Sequence, residues 1–147
     1  MIEVKVQSQT TVAFPEEGQI VSINDFQLTN NFNLSEFECT HPEHRHVQVD
    51  TELVKKLQKL RDRLGLPMVI NSAYRCPERN KQVGGADRSQ HLLGKAVDIS
   101  LDNQKLNIET ISDMAKKIGF KGIGLYDTFI HLDVRNNDYV TKWDKRL

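Results

Sequence analysis

Two short stretches constrain this chain more than anything else in it. SQHLLGKAVD sets His91 and Asp98 seven positions apart across a single glycine, Gly94, and FIHLDVR carries His131 and Asp133. AVDIS reads as a strand, where alternate side chains share a face. Ala96, Asp98 and Ser100 then project one way, and Val97 and Ile99 the other. The same alternation puts Phe129, His131 and Asp133 together, with Ile130, Leu132 and Val134 on the reverse. Gly94 supplies the backbone freedom for a tight reversal, which brings His91 back over the start of its strand, beside Asp98. If both strands lie in one sheet, two histidines and a carboxylate meet. That is the ligand set of a catalytic zinc whose fourth position stays open. A lone histidine is more often an ordinary, partly buried side chain. Recurrence of histidine and carboxylate in two strand contexts argues against that here.

The surrounding pattern supplies a scaffold. Leu34 to Phe37 begins the domain proper. Asp50 or Thr51 caps a helix running to about Leu64, with Leu53, Val54, Leu57, Leu60 and Leu64 on one stripe, and Gly65 and Pro67 ending it. MVINSAYR reads as a buried strand, apolar on both faces from Met68 to Ile70, that delivers Ser72, Tyr74 and Arg75 to the site. PERNKQV is a short helix with Pro77 in its first turn. A second amphipathic helix spans about Asn107 to Ile118 and stops at Gly119. KGIGLYD and FIHLDVR pair through a turn at Asp127–Thr128, and YVTKW adds a last strand. Helices and strands mix without strict βαβ repetition, which predicts an α+β fold with a mainly antiparallel sheet packed on helices. Residues 1–30, with strand-like MIEVKVQ and Gln19 to Ile23, read as an N-terminal arm on a single domain of residues 31–147.

Ser-x-His-x-x-Gly-x-Ala-x-Asp (Ser89, His91, Gly94, Ala96, Asp98), with the later His-x-Asp-x-Arg (His131, Asp133, Arg135), resembles the zinc D-alanyl-D-alanine peptidases of the M15 family. SAYRCPERNKQVGGA is similar to a segment of that family's bacteriophage endolysin and cell-wall hydrolase branch, and the resemblance covers about Asn33 to Arg135. It implies a Hedgehog/D-Ala-D-Ala peptidase-like fold and a hydrolase that cuts a peptide in peptidoglycan, of the D-Ala-D-Ala carboxypeptidase or L-Ala-D-Glu endopeptidase type. By position it implies Zn2+ held by His91, Asp98 and His131, with Arg75 facing substrate. One well-known form of the family places its general base three residues before the last histidine. That position is Thr128 here, so the nearby acids Asp127 and Asp133 become the candidates. Asp133 is favoured because its facing is set by the strand. Each has a plainer role open to it: Asp127 as a turn cap, Asp133 as a group orienting a ligand histidine. Arg75 offers a bidentate fork to a peptide carboxylate, against the alternative of a structural salt bridge.

Charge and cysteines bound what remains. A formal net charge of zero gives no general attraction to nucleic acid or an anionic membrane, and no apolar run is long enough to span one. The N-terminus lacks a secretory signal. The expectation is a monomer made in the cytoplasm that acts on the cell wall after release or within a phage particle. Cys39 and Cys76 read as free, buried thiols. ECTHPEHRHVQV also places Cys39, His41, His44 and His46 within eight residues, a group that could bind a second metal, although its spacing matches no standard zinc pattern. Two other classes stay open: a non-haem iron oxygenase with the same ligand types, and a non-catalytic module, since Hedgehog domains resemble this family yet act by binding.

Overall fold

The computed structural model describes residues 23–102 and 105–147. The strand expected over MIEVKVQ, and that over Gln19 to Ile23 save its last residue, lie outside them. The described end of the arm is tied to the domain, with Thr29 Oγ1 donating to Gln58 Oε1 at 2.7 Å and Asn24 Nδ2 to Glu38 Oε1 at 3.0 Å. No helix among the described residues is long and apolar enough to cross a membrane.

Among the described residues, three helices and a five-stranded sheet make an α+β domain. Helix α1 spans Thr51–Leu64, β1 Ile70–Ser72, α2 Pro77–Gln82, β2 Ala96–Ser100, α3 Ile108–Ile118, β3 Gly122–Leu125, β4 Phe129–Asp133 and β5 Thr141–Asp144. Short 3-10 turns at Leu34–Phe37 and Gln90–Leu93 complete it. The helix ends follow their sequence signals. Asp50 accepts from the Glu52 amide, Asn107 from the Thr110 amide, and Gly65 and Gly119 close α1 and α3 in left-handed conformation at φ 63 and 111.

The sheet order is β1-β2-β4-β3-β5, antiparallel except where β5 runs parallel to β3. That exception follows from occupancy. β2 and β3 already flank β4, so the chain leaving β4 must add beyond β3, travelling opposite to β4 and hence along β3. Register makes two faces of different chemistry. On one, the rows Val97–Leu132–Ile123 and Ile99–Ile130–Leu125 are at most 2% exposed and pack against Leu53, Leu57, Leu60, Ile111 and Ala115 of α1 and α3. At roughly 1.5–3 kcal/mol per fully buried aliphatic side chain, this layer carries most of the stability.

The first strand departs from expectation. The ladder with β2 covers Ile70–Ser72, with an irregularity in register, and Val69, whose carbonyl accepts from the Ser100 amide at 2.9 Å, is 63% exposed. A strand at the sheet edge has one neighbour, so an apolar run there need not be buried on both sides. Beyond Ser72 the chain stays extended, held by the Tyr74 amide on Phe37 O at 3.2 Å and the Arg75 amide on His91 O at 3.1 Å.

Candidate metal centre

The opposite face of the sheet carries a row of cross-strand neighbours: Ser72 of β1, Asp98 of β2, His131 of β4, Gly124 of β3 and Trp143 of β5. His91 comes down onto this row from the turn preceding β2. Ser89 caps that turn by accepting from the His91 amide at 3.3 Å, and Gly94 ends it at φ 67. A side chain at Gly94 would also collide with the backbone at Gln48, and its carbonyl accepts from the Asp50 amide at 2.8 Å. The turn is thereby fastened to the start of α1. Ala96 is fully buried on the same face. The spacing of the sequence motif is thus a 3-10 turn, a left-handed stop and one face of a strand.

His91, Asp98 and His131 are 2%, 7% and 9% exposed, and one ligand atom from each lies within 4.8 Å of the others. Their outer contacts fix which atoms face inward. His91 Nδ1 lies 2.6 Å from Ala73 O, and a carbonyl only accepts, so Nδ1 carries the proton and Nε2 presents its lone pair. His131 Nε2 donates to Asp133 Oδ2 at 2.8 Å, which leaves Nδ1 for the cluster. Both inward nitrogens point at Asp98 Oδ1, at 3.2 and 3.0 Å. Two lone pairs and a carboxylate oxygen cannot share such a space without something positive between them, a proton or a metal ion. Burial alone would raise the Asp98 carboxyl and lower His131. The hydrogen bonds outweigh it, holding Asp98 far below the usual carboxylate range and pushing His131 up. The donor set therefore fits a divalent metal with imidazole and carboxylate ligands, each anchored from outside.

Asp133 does not match the base role favoured from sequence. It is fully buried, and its two oxygens take four donors: His131 Nε2, Arg135 Nη2 at 2.7 Å, Arg135 Nε at 2.9 Å and the Arg135 amide at 3.1 Å. About four lone-pair sites exist on a carboxylate, so none is left for water. Burial raises this carboxyl, but Arg135 and His131 bring it down to about 2. Its position is that of a group orienting His131. Asp127 is not at the cluster either. It sits exposed in the β3–β4 turn, four residues from His131, and accepts from the Leu147 amide at 3.3 Å.

Arg75 faces inward. Its Nη2 donates to Asp98 Oδ2 at 3.1 Å, Nε to Ser72 Oγ at 3.1 Å and Nη1 to Asn80 Oδ1 at 3.3 Å. Asp98 is thus held on one oxygen by the histidines and on the other by a guanidinium. Asn80 also lines a hollow of about 300 Å3 with Pro77, Glu78, Lys81, Asp87 and Leu92, which leaves the three ligand side chains outside it. Tyr74, expected at the site, is not among the groups contacting the cluster; its neighbours include Cys76 and Cys39.

Several contributors escaped the sequence reading. Ala73 acts through its carbonyl, which no side-chain motif reports. Gly122 and Gly124 lack the Cβ that would otherwise strike the Asp133 carboxylate and the Trp143 indole, so both groups lie flat over β3. Trp143 rests 5.2 Å from the His131 ring, takes the Arg135 guanidinium at 5.4 Å and donates to Tyr126 Oη at 3.0 Å. The available signal was the G-x-G of KGIGLYD, two glycines on one face of a strand.

The cluster of Cys39, His41, His44 and His46 is only partly assembled. His41 Nε2 pairs with Glu78 at 3.1 Å, and His44 stacks between His41 and His46. The group whose ligand atoms converge is instead Cys39, His44 and Cys76. Both cysteines are free and buried.

No curated protein matches the chain significantly. The model of the Peptidase M15 family matches residues 30–133, a span that holds the Ser89–Asp98 turn and strand, Arg75, His131 and Asp133. The chain belongs to the peptidase M15 family.

Proposed function

We propose that this chain is a zinc metallopeptidase that hydrolyses a peptide bond in peptidoglycan, of the D-Ala-D-Ala carboxypeptidase or L-Ala-D-Glu endopeptidase type. The observation that carries the reading is the convergence of two ring lone pairs and one carboxylate oxygen from His91, His131 and Asp98, each tied down from behind. Zinc suits that set, and when bound it supplies a Lewis acid that polarises the scissile carbonyl and makes water nucleophilic near neutral pH. The protein does the positioning. Ala73 O and Asp133 hold the two imidazoles in the tautomers that bind metal. Arg75 holds Asp98, and two of its five N–H groups stay uncommitted for a peptide carboxylate. The wall substrate rests on family membership and on that fit between Arg75 and an acidic peptide end.

Purified cell walls incubated with the protein should release new amines. Release should stop on chelation and return with zinc, and mass spectrometry of the products locates the bond. Zinc-loaded protein that releases no amines overturns the reading. Metal analysis of the purified protein separates zinc from iron.

One observation favours a second reading. Neither Asp133 nor Asp127 offers a carboxylate to water at the cluster. A metal-binding module that recognises wall peptides without cutting them needs no such group. It would give retention on walls with no amine release.

A further inference from the structure

We propose that Cys39, His44 and Cys76 form a second metal site, structural in role and selective for a soft divalent cation such as zinc. One ligand atom from each lies within 4.8 Å of the others. Zinc bonds of about 2.3 Å to sulfur and 2.0 Å to nitrogen put tetrahedral ligands roughly 3.5–3.8 Å apart, so closing the set on an ion needs shifts of about 1 Å. Two thiolates and an imidazole are three of the four ligands of a Cys2His2 structural zinc site.

The surroundings suit thiolates. The Cys76 amide donates to Cys39 Sγ at 3.3 Å and the Arg79 amide donates to Cys76 Sγ at 3.3 Å, so each sulfur already has a backbone donor of the kind that stabilises bound sulfur. His44 is the middle ring of three stacked imidazoles. The stack of His41, His44 and His46, with centroids 4.3 and 3.8 Å apart, holds that ring in place. His41 is committed to Glu78, whereas exposed His46 is at hand for the fourth position.

The location gives the site a purpose. Cys76 directly follows Arg75, which holds Asp98, and lies three residues after Ala73, whose carbonyl holds His91. An ion here would clamp the 39–46 loop onto the strand extension that supports the first cluster.

Cobalt titration of the reduced, metal-free full chain tests this, because only thiolate ligands give near-ultraviolet sulfur-to-cobalt charge-transfer absorption. Wild type should take up two equivalents, one of them with that band. His91→Ala/His131→Ala should lose one equivalent and keep the band. Cys76→Ser should lose the band and keep the other equivalent, and His44→Ala should weaken the banded equivalent at least tenfold. Circular dichroism on each variant confirms that the fold is retained. Absence of the band in wild type with both thiols verified reduced overturns the proposal. So does its survival in Cys76→Ser, or unchanged affinity in His44→Ala. A purified protein lighter by two hydrogens, with a Cys39–Cys76 disulfide that reduction does not convert to a cobalt site, also overturns it. Because the band is read without any peptidase assay, its failure and failure of the wall-hydrolase reading are separate results.

Discussion

Replacing Asp133 by asparagine separates two roles that a strand-facing carboxylate can play. The carboxylate receives four donors in the structure, three from Arg135 and one from His131. An amide of the same shape can accept on one side only; because Arg135 donates to both oxygens, its guanidinium meets the NH2 group in either orientation, and His131 does so in one. Breaking a buried ion pair costs about 3–5 kcal/mol. The Arg135 side chain is 24% exposed, and solvent can take up part of its lost partner, so about 2–3 kcal/mol is expected. For a domain of this size that lowers the metal-free melting temperature by roughly 6–12 °C. Metal affinity should fall about 10- to 100-fold, the usual effect of removing the partner of a ligand histidine, or roughly 1.4–2.7 kcal/mol. The decisive assay is wall hydrolysis against zinc concentration. An orienting role predicts that excess zinc restores most of the turnover in Asp133→Asn. A proton-accepting role predicts unchanged zinc affinity and a rate that stays at least about a hundredfold down at saturating metal. The second outcome would refute the reasoning from lone-pair occupancy.

Arg75→Lys keeps the charge beside Asp98 but loses the fork that also reaches Ser72 and Asn80, so metal affinity should drop several-fold to about tenfold by competition with a chelating dye; lower turnover with unchanged affinity would return Arg75 to a purely substrate-binding role. Gly124→Ala puts a methyl into the Trp143 indole, which must move off His131, and tryptophan fluorescence should change together with a stability loss of about 1–3 kcal/mol in a denaturant titration. An unaltered emission spectrum would mean that the indole does not lie over β3.

What could be read from the sequence was what period-two alternation and helix caps encode. His131 and Asp133 share a face, Asp98 shares it with Ala96, and Gly94 closes the turn that carries His91, because all of these are properties of one short segment. The apolar stripe of α1 and its stops at Asp50 and Gly65 are local in the same sense. The failures are cross-strand. Whether Asp133 has lone pairs to spare depends on Arg135 folding back and on the missing Cβ of Gly122 in the neighbouring strand. Alternation assigns it the same face in either role. Cys76 is 37 residues from Cys39, so no local spacing joins it to the cysteine–histidine cluster. Val69 is exposed because β1 took the edge of the sheet, a matter of strand order that an apolar run does not report.

The charges around the first cluster follow a consistent logic. Asp98 and Asp133 are each matched by an arginine, Arg75 and Arg135, and with a metal ion in place of the shared proton the imidazoles would be neutral in the tautomers their outer partners select. The protein groups therefore sum to no net charge, and a bound divalent ion adds its full two positive charges to a site whose ligands are largely buried. A centre with one anionic ligand and a cationic guanidinium against that ligand is strongly electrophilic. Loaded with such an ion, the site would attract a carboxylate or a carbonyl oxygen and would favour deprotonation of water. The same balance explains why a base in direct contact would be costly here. A second free carboxylate on this face would compete with Asp98 for Arg75 and weaken the field that makes the metal acidic. By drawing Asp133 off into Arg135 and His131, the fold keeps two carboxylates on one face of the sheet while leaving only one of them in the cluster.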